Sequence, residues 1–146
     1  MKKEFVMRGQ TASGETEVLN FSGYKPGYAY KLVEFKLWPS TNIQGTSVEC
    51  MGSITAGKTA VTPTDPNFNA DGLIGTVIWA DHNEYGYGPY TDSLVNDTFL
   101  ITQNLILMVQ ETGGTPVNWQ CRFESVKMTG AEEAAVNYKQ FAISDE

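Results

Sequence analysis

The sequence predicts an all-β, single-domain antiparallel β-sandwich, jelly-roll-like with about eight strands and a short C-terminal helical turn. Three observations predict it. Apolar and polar residues alternate with a period of two along most of the chain, the pattern of half-buried strands. Gly, Thr, Asn and Tyr are plentiful and charged residues make up only 18%, which suits short strands joined by turns. With 146 residues, 41% of them hydrophobic, the chain can fill one core, so residues 1–146 read as one domain.

The elements follow in order. Phe5 and Met7 alternate with Glu4, Val6 and Arg8, a strand near residues 3–9. Thr11-Ala12-Ser13-Gly14 turns the chain, and residues 15–21 return as a second strand. Residues 28–38 carry the longest strand signal, with Tyr28, Tyr30 and Leu32 on one parity and Val33, Phe35 and Leu37 on the other. A slip at Leu32-Val33 is what a β-bulge produces. A fourth strand runs near 46–54 with Val48, Cys50 and Ile54 in phase. Residues 73–80 are apolar on both parities, as expected of a strand covered on both faces. Two strands fit 97–102 and 104–111, and an eighth near 117–128 puts Val117, Trp119, Cys121 and Phe123 in phase before slipping to Val126 and Met128. Thr129-Gly130-Ala131-Glu132 reads as a capping box ahead of a short helix or helical turn. The connections Thr55–Gly72 and Asp81–Asn96 read as long loops, which in compact domains are often functional.

Charge narrows the partners. The net charge is −7, and no cluster of Lys or Arg extends beyond Lys2-Lys3. Direct binding of nucleic acid needs many cations against phosphates, and an anionic membrane surface asks for the same, so both are disfavoured. Met1-Lys2-Lys3-Glu4 leads into an alternating stretch instead of a signal-peptide run, and no segment approaches a membrane span. The expected place of synthesis is a reducing cytoplasm.

Several motifs carry possible chemistry. Gly52-Ser53-Ile54-Thr55-Ala56-Gly57-Lys58-Thr59 satisfies the phosphate-loop pattern, and Val77-Ile78-Trp79-Ala80-Asp81 resembles its partner strand. A working phosphate loop needs a helix starting at Gly-Lys-Thr, and Pro63 and Pro66 stand in the way. Ser22-Gly23-Tyr24-Lys25 matches a serine-nucleophile pattern but runs straight into Pro26-Gly27, so it reads as a turn. Asp81, His82 and Glu84 offer metal ligands, yet His82 is the chain's one histidine, and a solvated loop is the better reading. Cys50 and Cys121 sit in phase with apolar neighbours, as buried inert thiols do. No nucleophile–base–orienter set emerges, so the sequence reads as non-enzymatic, with no catalytic, cofactor-binding or metal residue and no cofactor.

The loop Glu84-Tyr85-Gly86-Tyr87-Gly88-Pro89-Tyr90 is the candidate contact site. Tyr85, Tyr87 and Tyr90 offer large amphipathic rings at low entropic cost, suited to protein or glycan contacts. The bland alternative folds the rings back over one end of the sandwich.

The runs Phe5-Val6-Met7-Arg8-Gly9, Ser13-Gly14-Glu15-Thr16-Glu17-Val18-Leu19-Asn20-Phe21-Ser22-Gly23 and Lys25-Pro26-Gly27-Tyr28-Ala29-Tyr30 resemble small proteins encoded by marine bacteriophages. Gly52–Lys58 and Asn96–Thr102 resemble the same group. That resemblance implies a virion structural protein: a capsid or capsid-decoration subunit, forming homo-oligomers and contacting other virion proteins. It carries no catalytic residues across. The competing reading is a carbohydrate-binding, lectin-like module with Trp38, Trp79, Trp119 and the tyrosine loop as a stacking platform, although alternation places Trp119 inside.

Overall fold

The computed structural model describes residues 3–21, 26–40, 47–57, 59–82 and 87–144. In chain order the elements are β1 (Glu4–Thr11), β2 (Thr16–Leu19), β3 (Tyr28–Pro39), β4 (Ser47–Ala56), β5 (Leu73–His82), β6 (Tyr87–Val95), β7 (Leu105–Glu111), β8 (Val117–Lys127) and α1 (Gly130–Ser144). Two antiparallel sheets form, ordered β1-β8-β3 and β2-β7-β4-β5-β6. An eight-strand ribbon folded on itself pairs its first strand with its eighth, second with seventh, third with sixth and fourth with fifth. Wrapping that ribbon then sets the eighth beside the third and the seventh beside the fourth, which makes a jelly roll. All of these rungs are present except the third-with-sixth. Strand β6 ladders with β5 instead, and reaches β3 through the Ser93 hydroxyl, which donates to the Phe35 carbonyl at 2.9 Å.

The core lies between the sheets, and β3 is seated in it by a bulge. The register with β8 shifts between Leu32 and Glu34, so Val33 is the additional residue. Leu32, Phe35 and Leu37 therefore all turn inward and are buried. Opposite them stand two glycines. A Cβ on Gly52 would lie 3.0 Å from Phe35 Cζ, and one on Gly75 would lie 2.8 Å from Leu32 Cδ2. Ring and glycine interdigitate, as close packing across a thin sandwich requires. At one end Phe5, Phe21, Tyr30 and Phe123 form an aromatic cluster with ring centroids 5.1–6.1 Å apart.

Side-chain caps fix the turns. Ser13 Oγ accepts from the Glu111 amide at 2.9 Å, tying the β1–β2 turn to the end of β7. Burial pushes the Glu111 carboxyl up, but amides of Thr115 and Gly113 and hydroxyls of Thr115 and Thr112 outweigh it and hold it below its usual range. The capping box expected at Thr129 is formed: the Glu132 amide donates to Thr129 Oγ1 at 3.2 Å and the Thr129 amide to Glu132 Oε1 at 3.3 Å. The short C-terminal helix expected is α1, which runs for 15 residues and docks through Ile143 beside Gly57 and Gly72.

Other expectations are corrected. The Asp81–Asn96 connection is not a loop, because β6 occupies most of it and pairs with β5. Residues 97–102 are not a strand. They make one bridge, Ile101 to Tyr30, while Phe99 and Ile101 plug the core. The slip expected in β8 is absent, since β8 keeps one register with β1 and the irregularity sits at Val33. Strand β5 is not covered on both faces, since Ile78 stands in solvent.

Two predictions follow from this packing. Gly52→Ala and Gly75→Ala should each lower stability by about 1–3 kcal/mol through overpacking. Gly88→Ala, whose Cβ would meet nothing within 4 Å, should stay within about 0.5 kcal/mol of the wild type. Urea titrations compare the three directly. Glu111→Gln should cost about 2 kcal/mol at neutral pH, the worth of hydrogen bonds to a charged acceptor. A depressed carboxyl contributes stability that is full above its ordinary value of 4.5 and is lost as pH falls through the lower folded value. The variant should therefore show a flatter acid limb, and an unchanged limb would refute this role.

Candidate functional site: an apolar sheet face and a tryptophan groove

The two outer faces of the sandwich differ in chemistry. On the three-stranded sheet, successive outward rows are charged or amide-bearing. Lys31 pairs with Glu124 at 3.5 Å, Arg122 with Glu34 at 3.3 Å, and Gln10 Nε2 donates to Asn118 Oδ1 at 3.0 Å. Val6 and Trp38 are the exposed apolar side chains among these rows.

The five-stranded sheet presents the opposite. Its register aligns Val18 with Ile106, Met108 with Ser53, Met51 with Ile78, and Ala80 with Tyr90, all on the parity that points away from the core. Val18 is 63% exposed, Tyr90 58%, Leu94 57% and Ile78 43%, while Met51, Ile106 and Met108 are half-buried. Tyr90 and Leu94 are the diagonal neighbours of Ile78, with Asp92 directly opposite it. Part of this face is shielded by the 59–72 loop, where Ser53 Oγ donates to the Val61 carbonyl and the Val61 amide donates to Thr55 Oγ1. Toward the β6 edge the remainder exposes Ile78, Tyr90 and Leu94 around Asp92.

Of the tyrosines expected to make contacts, Tyr90 is on this face and Tyr87 begins β6 opposite His82. Tyr85 lies outside the described residues, as do Glu84, Lys58 and the Ser22–Lys25 sequence. The period-two pattern hides the apolar face because its members come from five strands, each contributing only one or two residues.

A second feature brings together all three tryptophans. A groove of about 660 Å³ opens where β3 faces β5 and β6 without a fourth strand beside it. Trp38 and Trp79 meet there with ring centroids 5.7 Å apart at 56°. Trp119 forms part of the wall and, as alternation predicted, points inward. Its Nε1 donates to Thr11 Oγ1 at 2.9 Å. Thr91 lines the groove from β6, and Arg8, Gln120 and Lys36, in register on three adjacent strands, flank it on the outward parity of their sheet.

The motif residues take structural places. Gly52–Ala56 lie within β4, laddered to β7 on one side and, up to Thr55, to β5 on the other, so their amides point along the sheet and not around a phosphate. No helix begins at Gly57 or Thr59. Cys50 and Cys121 are free and buried, and burial pushes each thiol up to about 12, with the Glu111 charge adding to the effect at Cys50. Asp81 is buried, whereas His82, the next strand residue, lies 3.4 Å from Glu49. Among the described residues no group of three His, Cys, Asp or Glu side chains converges as a metal site, and no helix is long and apolar enough to cross a membrane.

No protein-family model and no curated protein sequence matches the chain. Among solved structures it is similar to a Bacillus endospore appendage pilus, at 10% identity over 88% of each chain with a TM-score of 0.36. It is also similar to a chain of desmodium yellow mottle tymovirus, at 8% identity over 88% of this chain and 89% of that one, TM-score 0.35. A chain of turnip yellow mosaic virus matches at 8% identity over 87% of this chain and 92% of that one, with a TM-score of 0.37.

Proposed function

We propose that this chain is a non-enzymatic structural subunit of a bacteriophage virion, in the capsid or decorating it, which acts through contacts with its own copies and with other virion proteins. The observation that carries the reading is the apolar outer face of the five-stranded sheet around Ile78, Tyr90 and Leu94, set against an ion-paired face on the other sheet. A monomer that stayed alone in water would gain nothing from this asymmetry, whereas a subunit gains a defined side for a neighbour. Tyr85 and Tyr87, close to Tyr90 in the sequence, extend that contact in this reading. The net charge of −7 fits a shell that leaves genome binding to another component. Repetition around a symmetric particle lets each contact remain modest. Synthesis takes place in the host cytoplasm and the final location is the virion.

Light-scattering mass and negative-stain microscopy of the purified protein test this reading. Closed oligomers or attachment to particles are expected. A ring or aliphatic anchor buried at such a contact contributes about 1–3 kcal/mol, so replacing Ile78, Tyr90 and Leu94 together by Thr or Ser should abolish assembly. The folded monomer and its melting temperature should be retained. Wild-type protein that remains monomeric at high concentration and binds no particle overturns the proposal.

A further inference from the structure

We propose that the free edge of β1 pairs with itself: two copies of this chain join antiparallel along it, in the register that sets Glu4 opposite Arg8 of the partner subunit and Val6 opposite Val6 of the partner subunit. This contact lies on a different sheet from Ile78, Tyr90 and Leu94 and does not rest on the virion reading.

Strand β1 ends one side of the three-stranded sheet, and among the described residues no strand pairs beyond it. Its eight residues hold one register with β8 and contain neither a bulge nor a proline, two devices that stop an edge from pairing. The other edges are less open. Strand β2 has four residues, β6 carries Pro89, and the margin of β3 is met by Ile101 at Tyr30 and by Ser93 at the Phe35 carbonyl. The Ser125 amide donates to the Lys3 carbonyl at 2.8 Å, so Lys3 turns its backbone toward β8. Alternation then sends the amides and carbonyls of Glu4, Val6, Arg8 and Gln10 to the free edge, where a second antiparallel strand can take them.

Charge is the remaining safeguard of an edge, and here it has both signs. Glu4 and Arg8 stand on the outward parity, equally spaced about Val6. Two β1 strands running antiparallel about Val6 therefore oppose each glutamate with an arginine. Among the described residues neither side chain has an ion pair, and the ladder neighbour of Glu4 is Glu124, of its own sign. The same register sets the half-exposed valines against each other and, on the inward parity, Phe5 against Met7, both apolar and only partly buried. A shift of the register that keeps the backbone bonds would put Val6 opposite Arg8 or Glu4 instead, so charge and apolar contact select the same alignment. Self-complementarity about one residue is what a two-fold contact between identical chains requires.

Cross-linking reads this register directly. Cys50 and Cys121 are buried, so a cysteine introduced at an exposed position of β1 supplies the accessible thiol. Opposed residues of a hydrogen-bonded antiparallel pair have Cα atoms about 5.5 Å apart, within the span of a disulfide. The full chain carrying Val6→Cys is held at about 0.5 mM in oxidised glutathione, where even a contact of millimolar Kd is populated. It should form a disulfide dimer at least about tenfold faster than Gln10→Cys, whose counterparts stand more than about 20 Å apart in this register. Adding Glu4→Lys to Val6→Cys opposes like charges at both ends of the contact and should slow the cross-link at least about fivefold, as should adding Arg8→Glu. Mixing those two charge-reversed chains restores opposite signs and should recover most of the rate, which neither a foreign strand nor chance collision would produce. If Val6→Cys links no faster than Gln10→Cys, the contact is overturned. Cross-linking that ignores Glu4→Lys, or that mixing does not restore, overturns the register. Particle mass judges the virion reading and cross-link position judges this one, so each can fail alone.

Discussion

Packing of Leu32, Phe35 and Leu37 into the space opposite Gly52 and Gly75 is the constraint on which the rest of this sandwich depends. Without the additional residue at Val33, a strict alternation would send either Leu32 or Phe35 to the solvent side. Without the two glycines, the sheets could not approach closely enough for three large side chains to close the gap. Bulge and glycines are thus two halves of one device, written about twenty and forty residues apart in the chain. The cost of a mismatch is the usual one for a close-packed interior, where neither a void nor an added methyl is absorbed freely.

That device also shapes the surfaces. With β3 held against β4 and β5, the sixth strand ladders onto β5 and is hydrogen-bonded to β3 through the Ser93 hydroxyl and the Phe35 carbonyl. The three-stranded sheet therefore ends at β3, and the groove opens along that margin with Trp38 on one side and Trp79 on the other. On its other face the same hairpin of β5 and β6 displays Ile78, Tyr90 and Leu94. Both candidate sites trace back to where one strand chose its partner.

Much of the fold was legible in the residues. The bulge, the inward phase of Trp119, Cys121 and Phe123, and the capping box at Thr129 each leave a local signature. The sixth strand left none. Tyr87-Gly88-Pro89-Tyr90 looks like a turn, and it is tolerated as strand because β6 is an edge, where the missing proline amide need not join a ladder. Conversely, Phe99 and Ile101 alternate as a strand would, but Asn96 caps a turn through the Thr98 amide and the chain only plugs the core there. The phosphate-loop pattern misleads for a related reason. Gly52 is a glycine because Phe35 and Leu37 need its space, and β4 is an interior strand whose amides are already committed on both sides. Trp38, Trp79 and Trp119 could be grouped as a platform by residue type, but the groove in which they meet forms only through pairings between distant strands.

The placement of the two surfaces on β6 has a mechanical consequence. Tyr90 and Leu94 point to the apolar face, and Thr91, on the opposite parity, points to the groove. A neighbour covering the first face would therefore stiffen the strand that walls the second without occluding it. A subunit fixed in an array through Ile78, Tyr90 and Leu94 would still present its tryptophan groove at the sandwich margin. Alternation along one edge strand is enough to keep the apolar face and the groove apart.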